Sequence, residues 1–177
     1  NSVVTTSTNP NLRHLSQPNN QVAAAVTPQR SLQLDLMVPN WGRDERLKQF
    51  ASRLKLSWQE YRTMVAHNTT SQITTLRLLT TRYNSTQEID TQLQLELSQN
   101  SGLPLDQIVL VQAPKGKTFS RSHAMNLIQQ TAACHEDHCL VAGMDVDMEV
   151  KYPYFIHSEQ AVIPGQTAHF PIVFSQY

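Results

Sequence analysis

From Ser31 onward apolar and polar side chains alternate, with Leu32, Leu34, Leu36 and Val38 on every second residue until Pro39 closes the run. This is the period of a strand. Beyond it the period lengthens. Leu47, Phe50, Ala51, Leu54, Trp58 and Tyr61 recur at steps of three and four, with Arg46, Lys48, Arg53 and Lys55 on the other side. A helix with one apolar stripe should follow, packed on a sheet. Residues 73–83, rich in Thr, Leu and Ile, predict a second strand, then a turn at Asn84-Ser85 and a helix over 87–99 capped by Ser85 or Thr86. Gly102 and Pro104 stop that helix. Residues 108–111 predict a third strand, and 119–131 a third helix with Leu127 and Ile128 inward. Residues 139–144 are apolar enough for a fourth strand buried on both faces, 152–163 read as helix or loop, and 169–174 predict a fifth strand. Strand then helix, repeated, predicts an α/β fold with a mostly parallel sheet covered by helices.

The first 30 residues differ in texture. They hold Pro10, Pro18 and Pro28, many Ser, Thr, Asn and Gln, no acidic residue and few large apolar side chains. Too little apolar surface is present to repay ordering, so residues 1–30 are expected to be a flexible stem and 31–177 the folded unit. At 177 residues and 40% hydrophobic, the chain suits one domain rather than two. Fourteen Lys and Arg balance fourteen Asp and Glu, which leaves no basic excess to grip nucleic acid. No apolar run is long enough to span a bilayer. The start at Asn1 and the stop directly after an apolar run suggest a fragment. Two Asn-x-Ser/Thr triplets, at Asn68 and Asn84, are candidate N-glycosylation sites and weakly favour a secretory address.

In a parallel sheet, loops and helix N-termini converge at the carboxyl ends of the strands, so ligands collect there. The first strand ends in Pro39-Asn40-Trp41-Gly42-Arg43, the third leads to Thr118-Phe119-Ser120-Arg121, and the fourth ends in Asp145-Val146-Asp147. In an extended chain Asp145 and Asp147 leave the same side, where their repulsion is relieved by a hard divalent cation that also takes phosphate oxygens. Arg43 and Arg121 can add forked donors to the same phosphates. A solvated Asp-x-Asp turn, a helix-opening Arg43 and a surface Arg121 are the bland alternatives. Cys134-His135-Glu136-Asp137-His138-Cys139 offers zinc-type ligands, but crowded into six residues without a distant second pair. A local Cys134–Cys139 disulfide suits a lumenal protein better, with free thiols as the remaining choice.

These motifs carry a resemblance. Met37-Val38-Pro39 with Gly42-Arg43, Phe119-Ser120-Arg121, Asp145-Val146-Asp147, Pro164-Gly165 and Phe170-Pro171-Ile172-Val173-Phe174-Ser175-Gln176-Tyr177 stand in the order and spacing of one family. From Leu32 to Tyr177 the chain resembles the N-terminal half of the catalytic domain of chondroitin N-acetylgalactosaminyltransferases and chondroitin synthases, relatives of the β-1,4-galactosyltransferases. The resemblance implies a C-terminally truncated GT-A glycosyltransferase fold, a UDP-sugar donor, Mn²⁺ or another divalent cation, and a glycosaminoglycan acceptor. It implies a Golgi-lumenal enzyme with a type II membrane anchor upstream. Pro39 and Arg43 would line the uridine diphosphate site, with Phe119 and Arg121 on the nucleotide side. Asp147 would bind metal directly, while Asp145 and Val146 would touch ribose or donor sugar, Asp145 being the second metal candidate.

The implied activity is metal-dependent, inverting transfer of N-acetylgalactosamine or glucuronic acid to a chondroitin-like chain. Its catalytic base is expected beyond Tyr177, so the fragment alone is expected to be inactive. Ser122 to Asn126, Met148-Glu149-Val150 and His157 to Ile163 depart from the family pattern. They motivate the alternative of an inactive, polymerising-factor-like module that partners an active, homologous synthase subunit.

Overall fold

The structure, a computed structural model, describes residues 31–66, 73–134 and 138–162. The stem, Asn68 and the expected strand over 169–174 lie outside them. The order of elements is β1 (Leu32–Val38), α1 (Asp44–Val65), β2 (Ile73–Arg82), α2 (Gln87–Ser101), a 3-10 turn (Leu105–Gln107), β3 (Ile108–Gln112), α3 (Arg121–Thr131), β4 (Cys139–Gly143) and α4 (Tyr152–Ala161). The four strands form one parallel sheet in the order β3-β2-β1-β4. Parallel pairing demands a crossover between neighbours, and the helices supply it.

Burial follows the alternation. Leu34, Leu36 and Val38 of β1 and Leu76 and Leu78 of β2 join the α1 stripe, Leu93 and Leu97 of α2, and Phe155 of α4 in the larger core. Trp58, Tyr61 and Phe155 pack ring against ring there, with centroids 5.2–5.4 Å apart. The other face of the sheet sends Met37, Leu79 and Val111 against Ile128 of α3 and Ala133. Thus α1, α2 and α4 cover one face and α3 the other. The segment left open between helix and loop, 152–163, is helical through Ala161. β4 corrects the expectation of burial on both faces. Leu140 is buried, but Val141 is 42% exposed: α3 packs mainly over β1, β2 and β3 and meets β4 further along, where Met125 lies over Gly143.

Local chemistry sets the helix ends. Thr86 caps α2 by accepting from the Ile89 amide, and Gly102 ends it in the left-handed conformation with φ 69°. Ser120 caps α3 by accepting from the His123 amide. That cap starts α3 at Arg121 rather than at 119 and leaves Phe119 in the preceding loop.

One buried ion pair pins the α3 face. Asp35, fully buried in β1, faces Arg77 of β2 because the parallel register pairs these two positions. The Arg77 Nε donates to Asp35 Oδ1 at 2.8 Å, and its Nη2 donates to Asp35 Oδ2 and to the Ala132 carbonyl. Asp35 also accepts from the Cys134 amide at 2.8 Å. The hydrogen bonds that Arg77 donates to Asp35 outweigh burial and hold the Arg77 guanidinium above its usual pKa. The pair therefore anchors the end of α3 and the start of the loop that a Cys134–Cys139 disulfide closes. Loop-closure entropy for so short a ring is worth about 2 kcal/mol. Substituting both cysteines by serine is expected to lower the urea-unfolding free energy by that amount; an unchanged midpoint would show that Asp35 alone holds the loop.

Candidate functional site

The carboxyl ends of the strands bring the predicted residues to one rim. β1 ends at Val38 and passes through buried Pro39 and Asn40 to exposed Trp41, Gly42 and Arg43. The Asn40 backbone is fastened to the Thr81 hydroxyl, which donates to the Asn40 carbonyl and accepts from its amide, both at 3.1 Å. Gly42 turns the loop with φ 66°, a conformation that costs a side-chain-bearing residue strain. Arg43 stands at the N-cap of α1 with no side-chain cap bond, so its guanidinium is left for the rim.

After β4, Asp145, Val146 and Asp147 do not continue as an extended strand. The Met148 amide donates to the Asp145 carbonyl at 3.0 Å, which closes a turn. Val146 fills the core at 4% exposed, and its carbonyl accepts from Arg53 at 3.2 Å. The same-side geometry expected of an extended Asp-x-Asp is therefore corrected. Asp145 instead meets one arginine and Asp147 two. The Arg121 Nε donates to Asp145 Oδ1 at 2.7 Å, Arg43 Nη1 to Asp147 Oδ2 at 3.1 Å, and Arg46 Nη1 to Asp147 Oδ1 at 2.6 Å. These side chains are about half exposed and so can change partners. The carboxylate oxygens are hard donors of the kind a divalent cation takes, and in this arrangement guanidinium groups occupy them.

Beside the charges lies an aromatic platform. The rings of Trp41 and Phe119 stack with centroids 5.9 Å apart and planes within 11°. Tyr83, the residue after β2, supports Phe119 edge-on at 5.4 Å, and its hydroxyl lies 3.1 Å from His123 Nδ1. Burial pushes the Tyr83 hydroxyl up in pKa, so it stays protonated and keeps a hydrogen for that contact. Trp41 remains 56% exposed. An exposed flat ring on a rigid base suits stacking by a nucleobase or a sugar face.

The structure thus gathers Arg43, Phe119, Arg121, Asp145 and Asp147 on one rim, whereas the side chain of Val146 turns into the core and Pro39 is buried. Reasoning from sequence missed Trp41, Tyr83 and Arg46. Trp41 had a signal in its place between Pro39 and Arg43. Arg46 had one as well, standing three residues after Arg43 and so on the same face of the first turn. Asn84 is exposed in the β2–α2 turn with φ 52°. Cys134, His138 and Cys139 bring candidate ligand atoms within 4.8 Å of one another, but at the opposite end of the sheet. With both sulfurs in a disulfide, that cluster has no thiolate to offer a metal.

No helix among the described residues is long and apolar enough to cross a membrane. The model of one protein family, described as chondroitin N-acetylgalactosaminyltransferase, matches residues 10–177. No curated protein matches the chain.

Proposed function

Because the chain belongs to the chondroitin N-acetylgalactosaminyltransferase family, glycosyltransferases acting on chondroitin with a Rossmann-like GT-A fold, we propose that its rim is the donor site. The reaction in this reading is inverting transfer of N-acetylgalactosamine or glucuronic acid from a UDP-sugar to a glycosaminoglycan chain. The observation that carries it is the convergence of three arginines, two carboxylates and an aromatic platform at the carboxyl ends of parallel strands.

Each group has work suited to its chemistry. Trp41 and Phe119 stack the uracil ring. Arg43 and Arg121 direct forked N–H donors at the pyrophosphate oxygens, where negative charge builds as the sugar departs. Asp147, with Asp145 beside it, holds Mn²⁺ or another divalent cation. When bound, that ion supplies Lewis-acid neutralisation of the leaving diphosphate. Inversion also needs a base to take the proton of the acceptor hydroxyl. The disulfide suits an oxidising compartment, which supports a Golgi-lumenal address.

Calorimetric titration of the intact protein with UDP tests the reading. UDP is expected to bind at least about tenfold more tightly with Mn²⁺ than with chelator, as one direct ion–phosphate contact implies. ADP should bind more weakly than UDP. Failure to bind UDP at any Mn²⁺ concentration would remove the donor site from this rim.

A further inference from the structure

The apolar stripe of α1 puts Arg46 among the solvent-facing cations, yet its guanidinium crosses to the turn after β4 and takes Asp147 Oδ1 at 2.6 Å. Arg43 takes the other oxygen of the same carboxylate at 3.1 Å. Both oxygens of the residue best placed to receive a metal are therefore engaged by guanidinium. With Arg121 on Asp145, three arginines face two carboxylates, an excess of one positive charge that opposes entry of a bare cation.

Guanidinium forks fit phosphate as well as they fit carboxylate. The contacts are half exposed, so moving an arginine from one anion to the other costs little. We propose that Arg46 is a placeholder on Asp147, drawn away by the pyrophosphate of an arriving nucleoside diphosphate, which frees the carboxylate for the cation. Metal and nucleotide entry are then coupled through Arg46, in addition to any direct contact between ion and phosphate. The inference rests on the donor-site reading above. Linkage makes the coupling reciprocal, so Arg46 sets how far each ligand tightens the other.

The test measures Mn²⁺ binding to the intact protein, from the electron-spin-resonance signal of free Mn²⁺, with and without saturating UDP. Arg46→Ala is expected to tighten Mn²⁺ binding in the absence of UDP by about 3- to 5-fold, the range of one half-exposed ion pair. The factor by which UDP tightens Mn²⁺ should shrink by a similar amount. Arg46→Lys, which keeps the charge but loses the fork, should fall between. Arg62→Ala, at the far end of α1, serves as a control for lost charge and should change neither quantity. An Arg46→Ala protein with unaltered Mn²⁺ affinity in the absence of UDP would overturn the proposal. So would one that gains equally with and without UDP, since that is the mark of a distant charge rather than a competing ligand. Wild-type protein that binds neither UDP nor Mn²⁺ would instead remove the donor-site reading, and the inference with it.

Discussion

Replacing Arg82 by methionine is expected to lower the stability of the fold by about 3–5 kcal/mol, the range for breaking a buried ion pair from one side. Arg82 is the last residue of β2 and is 6% exposed. Its Nε donates to Asp90 Oδ1 and its Nη1 to Asp44 Oδ1, both at 2.7 Å. Asp90 also accepts from the Ser85 hydroxyl and the Gln112 side-chain amide, and Asp44 from the Asn40 side-chain amide. One guanidinium thus ties the first turns of α1 and α2 to the end of the central strands, directly beneath the rim. Burial works against its charge, but Asp90 and Asp44 outweigh that and hold its pKa above the ordinary arginine value. Methionine keeps much of the aliphatic stem and removes the charge, which leaves Asp90 buried at 5% exposed without a cation. Urea unfolding followed by circular dichroism measures the loss. Adding Asp90→Leu should recover much of it, because apolar replacement of a whole buried pair is close to neutral. A single Arg82→Met change that costs under about 1 kcal/mol would show that the two carboxylates find water or each other instead.

The contrast between Leu36 and Arg82 shows what a linear pattern can carry. The alternation from Leu32 to Val38 was enough to place β1, and the three-and-four spacing from Leu47 to Tyr61 enough to place α1, because both rest on the period of one element against one core. The rim was legible for a related reason: a parallel sheet collects its loops at one end, so Arg43, Phe119 and Arg121 could be grouped without knowing a single distance. Partners between distant elements were not legible. The alternation did not distinguish Asp35 from any other polar position of the strand, and only the register sets Arg77 beside it. Arg46 looked like a solvated cation because periodicity fixes the face of a helix and not what folds over that face. The Asp145-Val146-Asp147 geometry failed for the opposite reason. Alternation was assumed beyond the last ladder pairing, whereas Val146 turns in to fill the core and takes Arg53 on its carbonyl, which bends the chain.

That bend makes Asp147 the most informative side chain in the molecule. Asp147→Ala is expected to reduce sugar transfer by the intact enzyme by about 100- to 1,000-fold while leaving the unfolding midpoint almost unchanged. The first half follows from the several kcal/mol by which a divalent cation stabilises a departing diphosphate, at 1.36 kcal/mol per tenfold in rate. The second follows from exposure, since Asp147 holds only half-exposed arginines and such pairs contribute about 1 kcal/mol at most. Asp145→Ala should cost less, because Asp145 engages one arginine where Asp147 engages two, and Asp147 is the direct metal ligand in this reading. A rate that survives Asp147→Ala within about tenfold would move the metal elsewhere. Wild-type protein that melts cooperatively, yet transfers sugar only when an active synthase is added, would identify it as a partner rather than a catalyst. In that case the arginines on Asp147 are its permanent occupants, and Arg46→Ala should leave Mn²⁺ affinity untouched.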